Sequence, residues 1–323
     1  TMGEEWRRGW DPESIKPKKT DQKVLVVGSG PSGLECTLQL ARRGYHVTLA
    51  EADNKLGGRV IFEAGLKGLS AWKRVADNRL YEIQQKNNIE IYKESELTFS
   101  HINELGINNI FLATGSSWRK DGVGRSRRKP IQGMESLNVL TPEEAIKDSK
   151  NLKGPVVVYD DEQGYLGGVV ADHLSSDHHE VIFITPAGIV SPWTESTLEQ
   201  KRVQKSLLLN GVNIICNKSI DKAEGQSLNL QCVFTREITH VKCSAIVMVT
   251  ERIPNTTLYD QLIEQNNSIE GGKRKHIQLI GDAESPGLIA DAVFLGHLAA
   301  QNFEEPEQEI QKAMFMREMP SLK

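Results

Sequence analysis

The sequence is poor in cysteine. Its 323 residues include four cysteines, Cys36, Cys216, Cys232 and Cys243, and no two of them form a Cys-x-x-Cys pair. This spacing excludes a closed zinc site, an iron–sulfur cluster held within this chain and a thioredoxin-like redox pair. Four scattered thiols in a chain of this length are typical of a reducing compartment. We therefore expect a cytoplasmic protein with reduced, mostly buried cysteines and no metal site.

Long apolar runs and a strong net charge are also missing. No uninterrupted apolar stretch approaches the roughly 18 residues of a membrane-spanning helix, and the polar segment 1–19 does not have the pattern of a signal peptide. The formal net charge is −4, from 39 basic and 43 acidic residues. Nothing therefore draws the whole chain toward nucleic acid or an anionic membrane, and we expect neither as a partner. At about 150 residues per domain, the length predicts roughly two domains.

The most informative pattern is a βαβ unit near the start of the chain. The apolar run Val24–Val27 predicts a buried parallel strand. Helical spacing covers residues 34–43 up to Gly44, and a second strand is predicted over residues 46–50. A glycine-rich turn, Gly28-Ser29-Gly30-Pro31-Ser32-Gly33, joins the first strand to the helix. This arrangement is the fingerprint of a dinucleotide-binding fold.

Each position of this fingerprint has a mechanical role. Gly28 permits the tight turn, Gly30 lets a pyrophosphate approach the backbone, and Gly33 lets helix and strand pack closely. The helix N-terminus offers free N–H groups to the phosphates, and an acidic residue about 20 residues further on accepts hydrogen bonds from the ribose. We therefore assign to an adenine-nucleotide site Gly28, Gly30, Pro31, Ser32, Gly33, Glu51 and Ala52.

Three later motifs follow in the order of two-dinucleotide-fold flavoproteins. In Leu56-Gly57-Gly58-Arg59, Gly58 lets the backbone pass close to the nucleotide, and Arg59 reaches a phosphate or is a solvated loop charge. Thr114 and Gly115 end a predicted strand (109–113) that closes the site. Asp282 follows a predicted strand (277–280) and bonds the ribityl or linker part of a flavin, or only caps the helix predicted over residues 288–303. Because ADP and FAD share the adenosine fingerprint, these motifs leave the choice between them open.

A second βαβ unit departs from the template. Its strands are predicted over residues 156–158 and 181–185 and its helix over residues 165–175. Asp160, Glu162 and Tyr165 stand where the glycines should be, and Asp161 adds a further acid. Carboxylates repel a pyrophosphate, and a loop without glycine cannot approach it closely. We expect this domain to keep a nicotinamide-binding fold without binding NAD(P)H.

These patterns together predict an α/β protein. We expect two Rossmann-like (glutathione-reductase-type) dinucleotide-binding domains, the second inserted in the first. Residues 1–22 are predicted as a linker or arm, residues 23–150 plus 255–323 as the FAD- or ADP-binding domain, and residues 151–254 as the degenerate NAD(P)-binding-like domain. A helix over residues 69–86, a strand over residues 89–92 and a loop over residues 116–133 complete the prediction.

The chain resembles the C-terminal half of the trimethylamine dehydrogenase family. This family includes dimethylamine and histamine dehydrogenases and, more distantly, bacterial 2,4-dienoyl-CoA reductase. The resemblance covers nearly the whole chain and rests on eight blocks: Gly-Glu-Glu-Trp-Arg-Arg-Gly-Trp at residues 3–10, and residues 27–33, 56–58, 113–115, 130–133, 279–286, 288–292 and 296–297.

The resemblance implies parts that this sequence does not contain. Family members begin with a (β/α)8 barrel that carries FMN, the substrate site and a four-cysteine [4Fe–4S] cluster, and the resemblance implies that Thr1 lies just beyond where the last cluster cysteine would be. We therefore expect a fragment, or a subunit split at that point, whose partner is such a barrel. The family's amine dehydrogenases hold ADP in the first site and pass electrons to an electron-transferring flavoprotein, whereas the reductase holds FAD there and NADPH in the second fold. Trp72 has two interpretations. It lies near the position at which relatives carry a surface aromatic residue close to the electron-transferring flavoprotein, or it is a tryptophan packed inside the protein.

Three functional hypotheses remain open. The chain is the ADP- or FAD-binding module of an FMN/iron–sulfur oxidoreductase, an FAD-dependent NAD(P)H oxidoreductase of the 2,4-dienoyl-CoA reductase type, or a non-catalytic ADP-loaded scaffold. The missing Cys-x-x-Cys and the acidic second loop disfavour the reductase. No catalytic residue is assigned within this chain, and homo-oligomerisation is left open.

Overall fold

The computed structural model describes residues 15–177, 179–268 and 274–308. Its helices are α1 (Pro31–Arg42), α2 (Arg59–Glu63), α3 (Arg74–Gln84), α4 (Phe99–Leu105), α5 (Pro142–Lys147), α6 (Leu166–Ser176), α7 (Gln200–Leu209), α8 (Thr257–Ser268) and α9 (Ile289–Asn302). Short 3-10 helices cover Ser70–Lys73, Met134–Ser136, Ser149–Asn151, Pro192–Glu195 and Gly281–Ala283.

The strands fall into four sheets. They are β1 (Lys23–Val27), β2 (His46–Ala50), β3 (Ile89–Tyr92), β4 (Asn109–Leu112), β5 (Ser116–Trp118), β6 (Asn138–Leu140), β7 (Val156–Asp160), β8 (Val181–Ile184), β9 (Asn213–Ile215), β10 (Lys218–Glu224), β11 (Ser227–Cys232), β12 (Ile238–Lys242), β13 (Ala245–Val249), β14 (Arg252–Pro254) and β15 (His276–Leu279). Two sheets are five-stranded, with the orders β15-β4-β1-β2-β3 and β6-β13-β7-β8-β9, and every neighbouring pair in them is parallel. The others are the antiparallel sheet β10-β11-β12 and the pair β5–β14.

The chain divides into two compact units along these sheets. Among the described residues, unit 1 consists of residues 15–65, 69–116, 254–268 and 274–308, and unit 2 of residues 66–68, 117–177 and 179–253. The second unit is thus inserted in the first, and the predicted α/β fold class is confirmed. The predicted border at residue 150 is wrong, because β6 pairs with β13 and brings residues 117–150 into unit 2.

The sheet of unit 1 is covered on both faces. Successive residues of β1 point to opposite sides, as the period of a strand requires. Val24 and Val26 join one buried cluster with Leu34 of α1, whereas Leu25 and Val27 join another with residues of α4 and α8. Burial on both faces explains why β1 has a continuous apolar sequence instead of an alternating one.

The sheet of unit 2 has the antiparallel sheet against one face. Val157 and Tyr159 of β7 pack in one cluster with Ile220 of β10 and with Leu228 and Leu230 of β11. The helices α5, α6 and α7 pack beside one another, and α6 also contacts β7 and β8. This arrangement brings the carboxyl end of β7 to the start of α6.

Most sequence-based bounds lie within one to three residues of the observed elements. The exception is the helix predicted over residues 69–86, which is a 3-10 turn followed by α3. Residues 116–133 were predicted as loop, and β5 occupies their start. The Gly3–Trp10 segment lies outside the described residues. In the described part of the chain, no helix is both long enough and apolar enough to cross a bilayer.

Candidate functional site

The glycine turn between β1 and α1 is tightly built. Gly28 has φ +98°, and a Cβ on it would lie 2.3 Å from the carbonyl oxygen of Ala113. A Cβ on Gly33 would lie 1.9 Å from the carbonyl oxygen of Gly28. These two positions therefore require glycine for the fold itself. Gly30 differs, because a Cβ there would meet no atom within 4 Å. The backbone at Gly30 is thus open on the side where a ligand would approach.

The N-terminus of α1 has the features of an anion-binding end. Gly30 is its N-cap and makes no side-chain cap, Pro31 is its first residue, and its first turn contains no acid. Ser32 and Gly33 lie in this first turn and are buried. The backbone N–H groups of such a turn, together with the positive end of the helix dipole, favour a phosphate.

Glu51 is held in place by the glycine turn. Its Oε2 accepts hydrogen bonds from the backbone N–H of Ser29 (2.7 Å) and from Ser29 Oγ (2.5 Å), and its Oε1 accepts one from the N–H of Asp53 (2.9 Å). A carboxylate offers about four acceptor positions, so Glu51 keeps capacity for a ribose hydroxyl. Ala52 beside it is exposed. Sequence reasoning missed Ser29, although its place between the first two glycines was the available signal.

Arg59 and Asp282 meet in unit 1. Arg59 is the first residue of α2, directly after Gly58, and its Nη2 donates to Asp282 Oδ2 at 3.1 Å while its Nε pairs with Glu63 Oε1 at 2.9 Å. Ser116 Oγ also donates to Asp282 Oδ2 at 3.1 Å. The interpretation of Arg59 as a solvated loop charge is therefore wrong. Ser116 was missed, because nothing in its local sequence indicates a partner so distant along the chain.

The N–H of Gly287 donates to Asp282 Oδ1 at 3.1 Å. The N-cap of α9 is Leu288, so Asp282 does not cap that helix. Asp282 instead lies in the 3-10 turn after β15 and organises the loop before α9.

Thr114 and Gly115 follow β4 and differ in their surroundings. The Thr114 hydroxyl donates to the carbonyl oxygen of Asn255 at 2.7 Å, and the Asn255 side chain returns a bond to the Thr114 carbonyl at 3.0 Å. Thr114 therefore fixes the chain near residue 255. A Cβ on Gly115 would meet nothing within 4 Å. Of this pair, only Gly115 has open space beside its backbone.

Trp72 is a packed residue. It lies in the 3-10 turn before α3, is half-buried and packs against the hydrophobic core of unit 1. This environment agrees with the packed interpretation of Trp72.

The acidic loop of unit 2 lies where a second glycine turn would be. Asp160 and Asp161 follow one another at the end of β7, and both are completely buried. Burial and the neighbouring Glu162 raise the pKa of Asp160 well above its ordinary value, and burial also raises the pKa of Asp161. These residues do not fit the diphosphate of a pyridine nucleotide, because negative or closely packed groups occupy its place.

The cysteines do not form a second site. None is in a disulfide; Cys36 and Cys243 are buried, and Cys216 and Cys232 are half-buried. Among the residues that the structure describes, no group of His, Cys, Asp and Glu side chains has an arrangement that could hold a metal ion.

Comparison with known proteins identifies a family. The family model described as pyridine nucleotide-disulphide oxidoreductase matches residues 22–293. The sequence is 32% identical to dimethylamine dehydrogenase of Hyphomicrobium sp. (strain x), over 97% of this chain and 46% of that enzyme. The predicted resemblance to the trimethylamine dehydrogenase family is confirmed. The chain spans about half the length of these relatives.

Solved structures that resemble this chain agree with the family assignment. Histamine dehydrogenase from Rhizobium sp. 4-9 matches with a TM-score of 0.90 and 40% identity, over 94% of this chain and 47% of that one. A 6-hydroxypseudooxynicotine amine oxidase from Pseudomonas geniculata N1 matches with a TM-score of 0.87 and 36% identity, over 94% and 45%. Lactococcus lactis thioredoxin reductase, at 17% identity and a TM-score of 0.58 over 92% of this chain and 100% of that one, shares the fold.

Proposed function

Because this chain belongs to the pyridine nucleotide-disulphide oxidoreductase family, we propose that its first unit binds an adenine nucleotide within a larger oxidoreductase. The observation that carries this proposal is the open backbone at Gly30, directly before a helix N-terminus without a side-chain cap. In dinucleotide folds a pyrophosphate lies at this position. The family relationship supports the same function.

The residues of unit 1 suggest how the nucleotide is held. The glycine turn of Gly28, Gly30 and Gly33 at the start of α1 receives the diphosphate, and Glu51 accepts a hydrogen bond from an adenosine ribose hydroxyl. Arg59 stands at the end of the site where a terminal phosphate would lie. Its partner Asp282 keeps that guanidinium in position.

Two nucleotides fit this description, ADP and FAD. The family resemblance favours ADP, because the amine dehydrogenases hold ADP in this site. Asp282 accepts hydrogen bonds from Arg59, Ser116 and Gly287, and because three donors do not fill a carboxylate, its surroundings are compatible with either nucleotide. When bound, FAD would supply electron transfer in the chain itself, whereas ADP would be a structural nucleotide.

We place the amine chemistry outside this chain. The relatives are named as amine dehydrogenases and an amine oxidase, and this chain matches about half of each. The family resemblance implies a (β/α)8 barrel with FMN and a [4Fe–4S] cluster as the partner, and an electron-transferring flavoprotein as the acceptor. In this proposal the chain is the nucleotide module that supports the barrel.

The alternative NAD(P)H oxidoreductase requires a working second nucleotide site. Asp160, Asp161 and Glu162 oppose it, because they bring carboxyl groups to the place of the diphosphate. NADH-dependent bleaching of a bound flavin would support this alternative. Adding a barrel fragment would distinguish a non-catalytic scaffold from the oxidoreductase module. If the chain is the module, the mixture should reduce a dye with an amine as the electron donor. If the chain is a scaffold, it should not.

The decisive experiment identifies the nucleotide. The purified chain is denatured, and the released compound is identified by absorbance and mass. We expect ADP without flavin; FAD would make the site redox-active and would favour the reductase. If nothing is released, the chain is titrated with ADP and with FAD by calorimetry, and failure of both to bind would refute the proposal.

A further inference from the structure

Ser29 joins three segments of unit 1. It lies between Gly28 and Gly30 and is completely buried. Its hydroxyl donates to Oε2 of Glu51, the residue directly after β2, at 2.5 Å. The N–H of Gly57 donates to the Ser29 carbonyl oxygen at 3.0 Å and to Ser29 Oγ at 3.3 Å. One residue therefore connects the glycine turn, the acid after β2 and the loop that contains Gly57.

The loop that Ser29 holds lies against the glycine turn. Gly58 follows Gly57 in this loop and has φ +59°. A Cβ on Gly58 would lie 2.9 Å from Cα of Gly30. The bonds of Ser29 are thus made at the point where the acid, the loop and the open backbone of the turn come together.

Ser29 also decides how much of the Glu51 carboxylate is left for a ligand. Each carboxylate oxygen has about two acceptor positions. Both positions of Glu51 Oε2 are filled by Ser29, through its N–H at 2.7 Å and its O–H at 2.5 Å. The N–H of Asp53 fills one position of Oε1 at 2.9 Å. These bonds within the described residues leave about one acceptor position on Glu51, and it belongs to Oε1.

An adenosine ribose presents two neighbouring hydroxyls, on C2′ and C3′. A carboxylate with both oxygens open can accept one hydrogen bond from each hydroxyl. Glu51 can accept the second only by giving up a bond to Ser29. The bond between a hydroxyl and a carboxylate is charge-assisted and strong, and the exchange replaces one such bond by another. A second bond to the ribose therefore brings little gain in affinity.

We propose that Ser29 is a positioning residue that makes the nucleotide site read one ribose hydroxyl instead of two. Its hydroxyl fills Oε2 and fixes the Glu51 carboxylate, so that Oε1 alone accepts a hydrogen bond from the ribose. This inference rests on the adenine-nucleotide site proposed for unit 1. It adds to that site a selectivity that the glycine fingerprint and its acidic residue do not imply.

Calorimetric titration of the whole chain with ADP, 2′-deoxy-ADP and 3′-deoxy-ADP tests the selectivity. We expect one of the two deoxy nucleotides to bind about 10- to 100-fold more weakly than ADP, the range for a hydrogen bond to a charged group. The other should bind within about twofold of ADP, because its missing hydroxyl makes no bond to Glu51. Similar losses for both analogues, or no loss for either, would overturn the proposal. Absence of ADP binding would instead refute the nucleotide site itself, and this inference with it.

Ser29→Ala tests the positioning role. The variant keeps the N–H bond to Glu51 and loses the hydroxyl bond, so one position on Oε2 becomes available to the ribose. We expect the difference in affinity between the two deoxy nucleotides to fall from about tenfold or more to about threefold or less. If Ser29 only supported the fold, its replacement would weaken all three nucleotides by the same factor. An unchanged difference would therefore show that Ser29 does not position Glu51.

Ser100→Ala is the control for the loss of a serine hydroxyl beside a carboxylate. Ser100 is exposed in α4, and its hydroxyl donates to Glu104 Oε1 at 3.0 Å. This variant should keep both the ADP affinity and the selectivity of the unsubstituted chain. Circular dichroism checks that Ser29→Ala is folded. If it is not, the three titrations of the unsubstituted chain decide the proposal by themselves.

Discussion

A methyl group added at Gly30 would meet no protein atom within 4 Å, and its φ is −63°. Gly30→Ala should therefore fold, at a cost of no more than about 1 kcal/mol for alanine at an N-cap. The added Cβ would stand where the diphosphate approaches. We expect ADP binding to weaken by about tenfold or more, which corresponds to about 1.4 kcal/mol or more. Calorimetric titration with ADP measures this effect.

The matched control is Gly188→Ala in unit 2. Its Cβ would have one neighbour, Asn217 Oδ1 at 3.6 Å, an ordinary contact. This variant should change neither stability nor ADP affinity. If Gly30→Ala binds ADP as tightly as the unsubstituted chain, the diphosphate does not lie on this turn.

Glu51 offers a second test at the residue scale. Glu51→Gln keeps the shape of the side chain but loses its charge and an acceptor. A hydrogen bond to a charged group contributes about 1.5–3 kcal/mol, so we expect ADP affinity to fall by about 10- to 100-fold. Because the loss is attributed to the ribose, 2′,3′-dideoxy-ADP should bind both forms with nearly equal affinity. An equal loss for both ligands would contradict the assigned role, and Glu90→Gln on β3 is an exposed control.

At the scale of elements, the end of α9 depends on one buried arginine. Arg43 is 3% exposed, and its guanidinium donates to the carbonyl oxygens of Ala300, Gln301 (3.3 Å) and Phe303 (3.1 Å). These are last-turn carbonyls that lack helical partners. Arg43→Met removes the donors and should destabilise the protein by about 3 kcal/mol. Urea unfolding followed by circular dichroism measures the change, and Arg74→Met, at the exposed start of α3, should have little effect.

The loop between β7 and α6 makes stability depend on pH. The pKa of Asp160 is raised well above its ordinary value of 3.8, first by burial and then by Glu162. The folded state therefore binds the extra proton, and this contribution is complete below pH 3.8 and is lost as pH rises through the folded pKa. Asp160→Asn should remove this loss and be more stable than the unsubstituted chain at neutral pH. Between pH 3.8 and the folded pKa of Asp160, the difference in unfolding free energy between the two proteins should grow by up to about 1.4 kcal/mol per pH unit.

Urea unfolding at a series of pH values checks this dependence. Parallel stability curves for Asp160→Asn and the unsubstituted chain would contradict a raised pKa. Glu180→Gln should give a curve parallel to that of the unsubstituted chain, because its carboxylate is exposed.

Elements with strong local signals were predicted well. The runs that became β1, β7 and β8 are apolar over most of their length because their sheets are covered, and such runs are visible in sequence. The antiparallel sheet β10–β12 was missed. Most residues of β12 are exposed, so its sequence has no apolar pattern.

The domain border and two site residues were missed for a different reason. Residues 117–150 belong to unit 2 through the pairing of β6 with β13, a contact between distant parts of the sequence. Likewise the bonds of Ser29 to Glu51 and of Ser116 to Asp282 depend on the folded chain. Local patterns predict glycines and helix ends, whereas polar partners require the tertiary structure.

At the scale of the whole molecule, both units have a dinucleotide-binding fold, but their strand-to-helix turns differ. In unit 1 the strand-to-helix turn has an open glycine and an uncapped helix. In unit 2 the corresponding turn has a buried aspartate against the first turn of the helix. The same architecture therefore predicts one nucleotide per chain, in unit 1.

Hydrogen exchange with and without ADP tests this asymmetry across the molecule. ADP that binds only the folded protein at 100 times its Kd stabilises it by about 2.7 kcal/mol. We expect slower amide exchange at residues 28–33, 51–59 and 281–287, where the turn, Glu51 and the Asp282 loop lie, and no change at residues 156–168. Gly30→Ala at the same ADP concentration should lose about half of this stabilisation or more, because tenfold weaker binding lowers it to about 1.4 kcal/mol. Protection of residues 156–168 comparable to that of residues 28–33 would mean that the corresponding turn of unit 2 also takes the nucleotide, and one nucleotide per chain would then be wrong.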